Sequence, residues 1–592
     1  MHPAVRYRVS MPRPHSHLLE VEASFPGGPE ALDAVMPVWT PGSYLVREFS
    51  RQVQDVTAHT PDGSPLPVRR VDKRTWRVDA KGLAVTLRYR VYANELTVRT
   101  NHLDGSHAYF NGAATFLYTE ATRGLEHHVT VDAPQGWRSF CALGQRASTF
   151  IARDYDELAD SPFEVGPHTP LTFSVEGVPH EVVVWGDTVP DPERLCAEFQ
   201  RICECQARVF GELPMPRYLI LLYLTDRGRG GLEHKASTAL LFPRAGLSSS
   251  RGWEDLLTLV AHEYFHLWFV KRVMPRALVP FDYAQENYTT LLWAFEGTTA
   301  YYDNLFVRRA GLMTAPRYLT RLGETLTLLQ STPGRRVQTL TEASLVTWVK
   351  HYRPDENSPN SAISYYLKGE VVSALLDLEI RRATGDARSL DDVVRLLWRR
   401  YGDGSGVPED GVEAAASEVA GVDLTPFFDR ALRTTQELDY SVFSHVGLEV
   451  CFRPRESAGD KGGTPPPRGR TGEGRPRGWL GLTTRANGAI SVVQDGSPAQ
   501  EAGLYVEDEL VALDGWRVDG NSLLGRCEDR RPGETVRLTV FRRDRLLDIP
   551  VVLGTKPAEA AWLARVERPT DAQKAAYGAW LGAPWEDAPG QA

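Results

Sequence analysis

Residues 256–270 read LLTLVAHEYFHLWFV. The run is apolar, with His262 and His266 four positions apart, so on a helix both imidazoles lie on one face and can reach a single ion. Glu263 follows His262 directly, which places a carboxylate beside that ion, where it can take a proton from water. Imidazole nitrogens suit zinc, and a catalytic zinc needs a third protein ligand and one open position. Glu296, in the apolar stretch LLWAFEGTTAYYDN (291–304), is the expected third ligand, because an unpaired carboxylate among Trp293, Phe295, Tyr301 and Tyr302 would be costly. The competing reading is a buried helix whose two histidines donate to nearby carbonyls.

Outward from this helix the pattern changes twice. Upstream lie a helix-patterned run, ERLCAEFQRICECQARVFGEL (193–213), and a strand, RYLILLYLTD (217–226). Downstream, helical spacing returns at 288–311, 316–330, 364–385 and 390–402, and the histidine helix itself is expected to run from Trp253 to Val273. Residues 1–175 alternate with period two, as in HLLEVEASF (17–25) and LAVTLRYRVYA (83–93), and read as a β-rich domain. Residues 176–440 form the mostly helical domain. Residues 441–555 form a small domain of short strands, interrupted at 453–477 by a Pro-, Gly- and Arg-rich segment expected to be disordered. The strand VGLEVCF (446–452) is expected to be the first strand of that small domain, and residues 556–592 to be a tail.

The 592 residues fit three or four domains at about 150 residues each. With 67 Lys and Arg against 76 Asp and Glu, the net charge of −9 argues against nucleic acid as a partner. Six cysteines are too few for a disulfide scaffold and read as free thiols. No apolar run is long enough to span a membrane, and the first residues lack a secretory core, so a cytoplasmic location is expected.

HEYFH followed by W-x-x-E-G resembles the gluzincin metallopeptidases, whose third ligand is a glutamate on the next helix. The gap between His266 and Glu296, residues 267–295, is longer than in the large aminopeptidase branch and looks like the glycyl aminopeptidase family. MPVWTPGSYLVREFSRQV (36–53) and HAYFNGAATFLY (107–118) resemble that family's N-terminal signatures. The resemblance implies a multidomain α+β chain: an N-terminal β-rich domain, a thermolysin-like, mainly helical zinc peptidase domain and a C-terminal PDZ domain. It also implies one zinc ion per chain.

Two more motifs gain roles from the resemblance. Gly230-Gly231-Leu232-Glu233-His234 occupies the place of the related G-A-M-E-N motif, which implies that the strand edge at Gly230 and Gly231 pairs with substrate backbone and that Glu233 binds the free α-ammonium. His234 departs from the Asn of the related branch. Tyr365-Tyr366-Leu367-Lys368-Gly369 resembles the Y-x-K-G segment that carries an oxyanion tyrosine; counting back from Lys368 gives Tyr366, with Tyr365 its neighbour. Asp303 is a candidate partner for a ligating imidazole, and Tyr109-Phe110-Asn111-Gly112 a candidate lining of the first-residue pocket.

In the small domain, Trp479-Leu480-Gly481-Leu482 resembles a PDZ carboxylate loop, with Leu480, Gly481 and Leu482 presenting backbone N–H groups to a C-terminal peptide. GSPAQEAGLYVEDELVALDGWRV (496–518) resembles the helix-turn-strand of bacterial protease PDZ domains. The expected activity is zinc-dependent hydrolysis of the first peptide bond of peptides with a free N-terminus, small Gly or Ala residues first, with Glu263 as base towards the zinc-bound water. The alternatives are a PDZ-steered zinc endopeptidase and a PDZ adaptor without catalysis. The oligomeric state is not legible.

Overall fold

The computed structural model describes residues 3–186, 189–457, 459–466 and 476–590. It is a multidomain α+β protein with a β-rich N-terminal part and a helical part after it. The chain divides into two units, Met1–Thr289 with Arg395–Pro408, and Thr290–Val394 with Glu409–Ala592. The helical domain expected over 176–440 is therefore shared between them, with the His262 helix in the first and Glu296 in the second.

In the first unit the alternating apolar residues of 1–166 build an eight-stranded sheet. The central strand Ala4–Ser10 pairs in parallel with Glu126–Asp132 and antiparallel with Leu18–Phe25. Its inward side chains, Val5, Tyr7 and Val9, pack with Leu19, Val21 and Leu87 as period-two alternation requires. The boundary at 175 moves earlier: Leu171–Val175 pairs with Val178–Trp185 in a different, five-stranded sheet. There Val178–Trp185, Tyr218–Thr225 and Ser237–Pro243 run parallel, and Gly230–Glu233 is an antiparallel edge strand. The middle strand is buried at every position, which explains its continuous apolar sequence. The expected pocket-lining segment at 109–112 is instead core: Tyr109, Phe110 and Asn111 are at most 1% exposed. Tyr109 donates to the Val98 carbonyl, and the Asn111 side chain caps the short helix Gly112–Thr115.

The second unit packs helices around Tyr365–Thr384, whose N-cap is Ser364 and whose stop is Gly385 in the left-handed region. The strand expected to open the small domain does not join it. Leu448–Arg453 pairs along its full length with Ala560–Arg565, and this ribbon lies on the helix Ala315–Gln330. The tail is likewise part of the core: in the helix Asp571–Leu581, Trp580 is 1% exposed and its indole N–H donates to Tyr301 Oη. The segment expected to be disordered is packed where it is described. Arg453 pairs with Asp460 at 2.5 Å, and Gly463 N–H donates to the Ala561 carbonyl at 2.7 Å. Ala458 and residues 467–475 lie outside the described residues. The small domain proper runs from Gly478 to Thr555 around its own core of Leu480, Leu482, Leu513, Leu538 and Val551. All six cysteines are free thiols, and among the described residues no helix is long and apolar enough to cross a membrane.

Candidate metal centre and amine site

The helix Ser250–Phe265 begins with the Ser249 hydroxyl capping Gly252 N–H. It stops at Phe265, two turns short of the expected end at Val273, at a point fixed by one side chain. His266 is the C-cap, and its Nδ1–H donates to the Phe269 carbonyl at 2.9 Å, which holds the chain in a turn. The same bond leaves the Nε2 lone pair for a metal, the usual arrangement behind a ligating imidazole. The His262 and His266 rings have centroids 4.8 Å apart. Gln206 donates to the Ala261 carbonyl at 2.7 Å, and Tyr264 is hydrogen-bonded to His180 at 2.9 Å, so the helix is clamped on its far side.

The edge strand Gly230–Glu233 brings its motif against this helix. Gly231 lies opposite Leu240 and Glu233 opposite Thr238 in the ladder. Glu233, Glu263 and His266 each offer a ligand-type atom within 4.8 Å of the others, and all three are buried. Gly231 permits the approach, because a β-carbon there would stand 2.0 Å from Glu263 Oε1. Arg99 donates to the Gly231 carbonyl at 3.1 Å.

In the second unit Glu296 is 2% exposed and sits in a π-helical turn, Trp293–Gly297, that opens the helix Thr298–Arg309. Such wide turns re-aim one side chain within a helix and recur at functional sites. Gly297 and Gly369 are in near contact: a β-carbon on Gly297 would lie 2.4 Å from the Gly369 α-carbon. That crossing sets Tyr365 and Tyr366 near Glu296. Burial first, and the Glu296 charge second, raise the Tyr366 phenol well above its ordinary value, so it keeps its proton. Its hydroxyl is 3.3 Å from that of Tyr352. Tyr365 is fully buried. Asp303 is half-buried and accepts from Asn304 at 2.7 Å.

Two imidazoles on one helix are donors of the kind zinc takes in catalytic sites, and the His266 bond to Phe269 shows one imidazole already oriented for it. The residues fit the ion.

The M61 peptidase N-terminal domain model matches residues 6–167, and the M61 glycyl aminopeptidase model matches residues 255–372. A solved aminopeptidase N family protein from Idiomarina loihiensis is 30% identical, over 98% of this chain and 100% of that one, with a TM-score of 0.91. The chain belongs to the M61 aminopeptidase family. Membership places it among the metallo-aminopeptidases. An M1 zinc metallopeptidase from Deinococcus radiodurans is 15% identical over 74% of this chain and 95% of that one, with a TM-score of 0.47. A probable periplasmic serine endoprotease, DegP-like, of Rhizobium meliloti (strain 1021) is 34% identical over 100 residues, and the chain spans 20% of the length of that curated relative.

Beyond the Glu233 strand lies a buried network that the sequence motifs do not reveal. Asp160 accepts from Lys271 at 2.5 Å, from the Lys235 backbone N–H at 2.8 Å and from His234 at 3.2 Å. Burial alone would push the Asp160 carboxyl up, but Lys271 and His234 outweigh it and hold it well below the ordinary carboxylate range. One carboxylate thus ties the end of the Glu233 strand to the turn beyond the His262 helix. His351 is the second omission. Its ring is 5.6 Å from that of Tyr366, and burial lowers it while Glu296 opposes, so it is neutral at pH 7. Neither residue stands in a recognisable motif. Of the small-domain loop, Leu480 and Leu482 point into the core, and the Leu480 and Gly481 carbonyls accept from Ala499 and Gln494 at 2.9 and 2.8 Å.

Proposed function

We propose that this chain is a zinc aminopeptidase that removes the first residue of peptides with a free N-terminus, Gly and Ala preferred. His262, His266 and Glu296 would hold one zinc ion per chain. When bound, the ion supplies a Lewis acid that acidifies water and polarises the scissile carbonyl. Glu263 takes the proton from the attacking water and returns it to the departing amine. The Tyr366 hydroxyl donates to the oxygen that becomes negative, a role that requires the protonated phenol. Glu233 binds the α-ammonium, and the edge at Gly230 and Gly231 pairs with substrate backbone.

The observation that carries this reading is the cluster of Glu233, Glu263 and His266 within 4.8 Å. An amine anchor so close to the base and to the His266 imidazole sets the α-ammonium beside the reacting bond, as removal of a single residue requires. An endopeptidase would need that space open. The region Gly478–Thr555 is proposed as a PDZ domain, with Leu480, Gly481 and Leu482 as its carboxylate loop for a C-terminal peptide. A cleft bounded by Trp479, Leu482, Leu524 and Cys527 supports that reading.

The test is a matched pair of peptides, one with its N-terminus acetylated. Cleavage confined to the free peptide supports the reading. Efficient hydrolysis of the blocked peptide would make the chain an endopeptidase and remove the role given to Glu233.

A further inference from the structure

The turn that follows Trp39 comes from the N-terminal domain, yet it reaches the amine site. Thr40, Ser43 and Tyr44 are at most 1% exposed. Ser43 N–H donates to the Thr40 carbonyl at 3.1 Å, and Gly42 takes a φ of +88° in the left-handed region. Thr40 Oγ1 donates to Asn111 Oδ1 at 3.3 Å, which fastens the turn to the domain core.

Gly42 lies against the Glu233 carboxylate. A β-carbon at position 42 would stand 2.4 Å from Oε1 and 2.8 Å from Cδ and from Oε2. Glu233 is 4% exposed, and its Oε1 accepts no hydrogen bond among the described residues. A buried carboxylate oxygen without a donor costs free energy until a cation reaches it. The turn therefore covers the carboxylate and leaves its Oε1 to an incoming donor.

We propose that the 40–44 turn, through Gly42, is the positioning element that makes the site demand a free amine. This rests on the reading of Glu233 as the ammonium anchor. With Gly42 in place the carboxylate is buried and closely packed, so an ammonium gains a charge-assisted bond. An acylated nitrogen offers one neutral N–H and a bulky acyl group in place of a charged ammonium, so the buried carboxylate keeps no counter-charge and the blocked substrate is rejected. A side chain at 42 pushes the carboxylate aside and admits water, and the penalty on blocked substrates falls.

The experiment measures kcat/KM for an alanyl anilide and for its N-acetyl form with wild type, Gly42→Ala, Thr40→Val and Glu233→Gln. Thr40→Val removes only the anchor to Asn111 and guards against misfolding of the glycine variant. The expected result is a selectivity ratio about tenfold lower or more in Gly42→Ala, carried by a higher KM for the free amine with kcat changed less. Thr40→Val shifts it the same way by less. Unchanged selectivity in either folded turn variant, beside a collapsed ratio in Glu233→Gln, overturns this inference alone. An unchanged ratio in Glu233→Gln overturns the underlying reading of the anchor.

Discussion

The α-carbon of Gly231 abuts the carboxylate of Glu263, so that a β-carbon would fall 2.0 Å from Oε1 and 2.2 Å from Cδ. The edge strand and the metal helix are thus spaced by the absence of one methyl group. Gly231→Ala should push Glu263 out of line. Loss of a positioned general base typically costs 10²–10⁴-fold, so kcat is expected to fall at least about 100-fold. Zinc content should stay the same if Glu263 acts as the base and not as a ligand. Steady-state kinetics beside metal analysis checks both halves.

Glu263→Gln keeps the shape of the side chain and removes its basicity. The variant should retain one zinc per chain and lose turnover by a similar factor. A chelator should abolish wild-type activity, and added zinc should restore it. A wild-type rate in Glu263→Gln would refute the base assignment.

Tyr366 and Tyr365 are separated by their surroundings. Tyr366 is partly exposed, with its hydroxyl beside that of Tyr352, whereas Tyr365 is sealed in the core. Tyr366→Phe should cost on the order of 3 kcal/mol in the barrier, more than a hundredfold in kcat with little change in KM. Tyr365→Phe should lower the unfolding midpoint more than it lowers kcat. The reverse pattern would exchange the two roles.

Lys368 is 2% exposed, and its ammonium has no hydrogen-bond partner among the described residues. Burial pulls its pKa down from 10.5 to about 8, with Glu437 opposing. The unfolded chain holds this proton up to its ordinary pKa, so between those values it binds more protons than the folded protein and stability rises with pH. Below about 8 the folded protein bears the full cost of the buried charge, on the order of 3 kcal/mol. Lys368→Met should therefore stabilise the protein by roughly 1–3 kcal/mol at pH 7. The gain should shrink as pH rises through that window, as denaturant titrations at pH 7 and 10 would show.

The parts of the site legible in the sequence are those set by local spacing. The i, i+4 histidines and the apolar setting of Glu296 follow from short patterns, whereas Gly230–Glu233 alone reads as a loop and becomes an edge strand only through the family resemblance. The π-turn around Glu296 is not legible, because a wide turn and an α-turn share nearly the same apolar period. Asp160 is hidden for a different reason. Its partners His234 and Lys271 are 74 and 111 residues away, and nothing local marks an aspartate at the end of a short helix as a network centre. The strand Leu448–Arg453 reads as part of the small domain because proximity in sequence is the ordinary guide, whereas its partner begins at Ala560. The Gly- and Pro-rich composition of 453–466 likewise conceals that Gly463 sits where only a glycine lets the backbone approach Thr320 and Gly323.

That ribbon has an architectural consequence. Arg453 and Ala560 face each other across its last rung, so the chain leaves for the small domain and comes back at neighbouring points. Strands running antiparallel can be joined by a two-residue hairpin. The small domain is therefore mounted as a cassette between two adjacent posts: a short bypass from one post to the other would excise it while leaving the scaffold's own hydrogen-bond ladder closed.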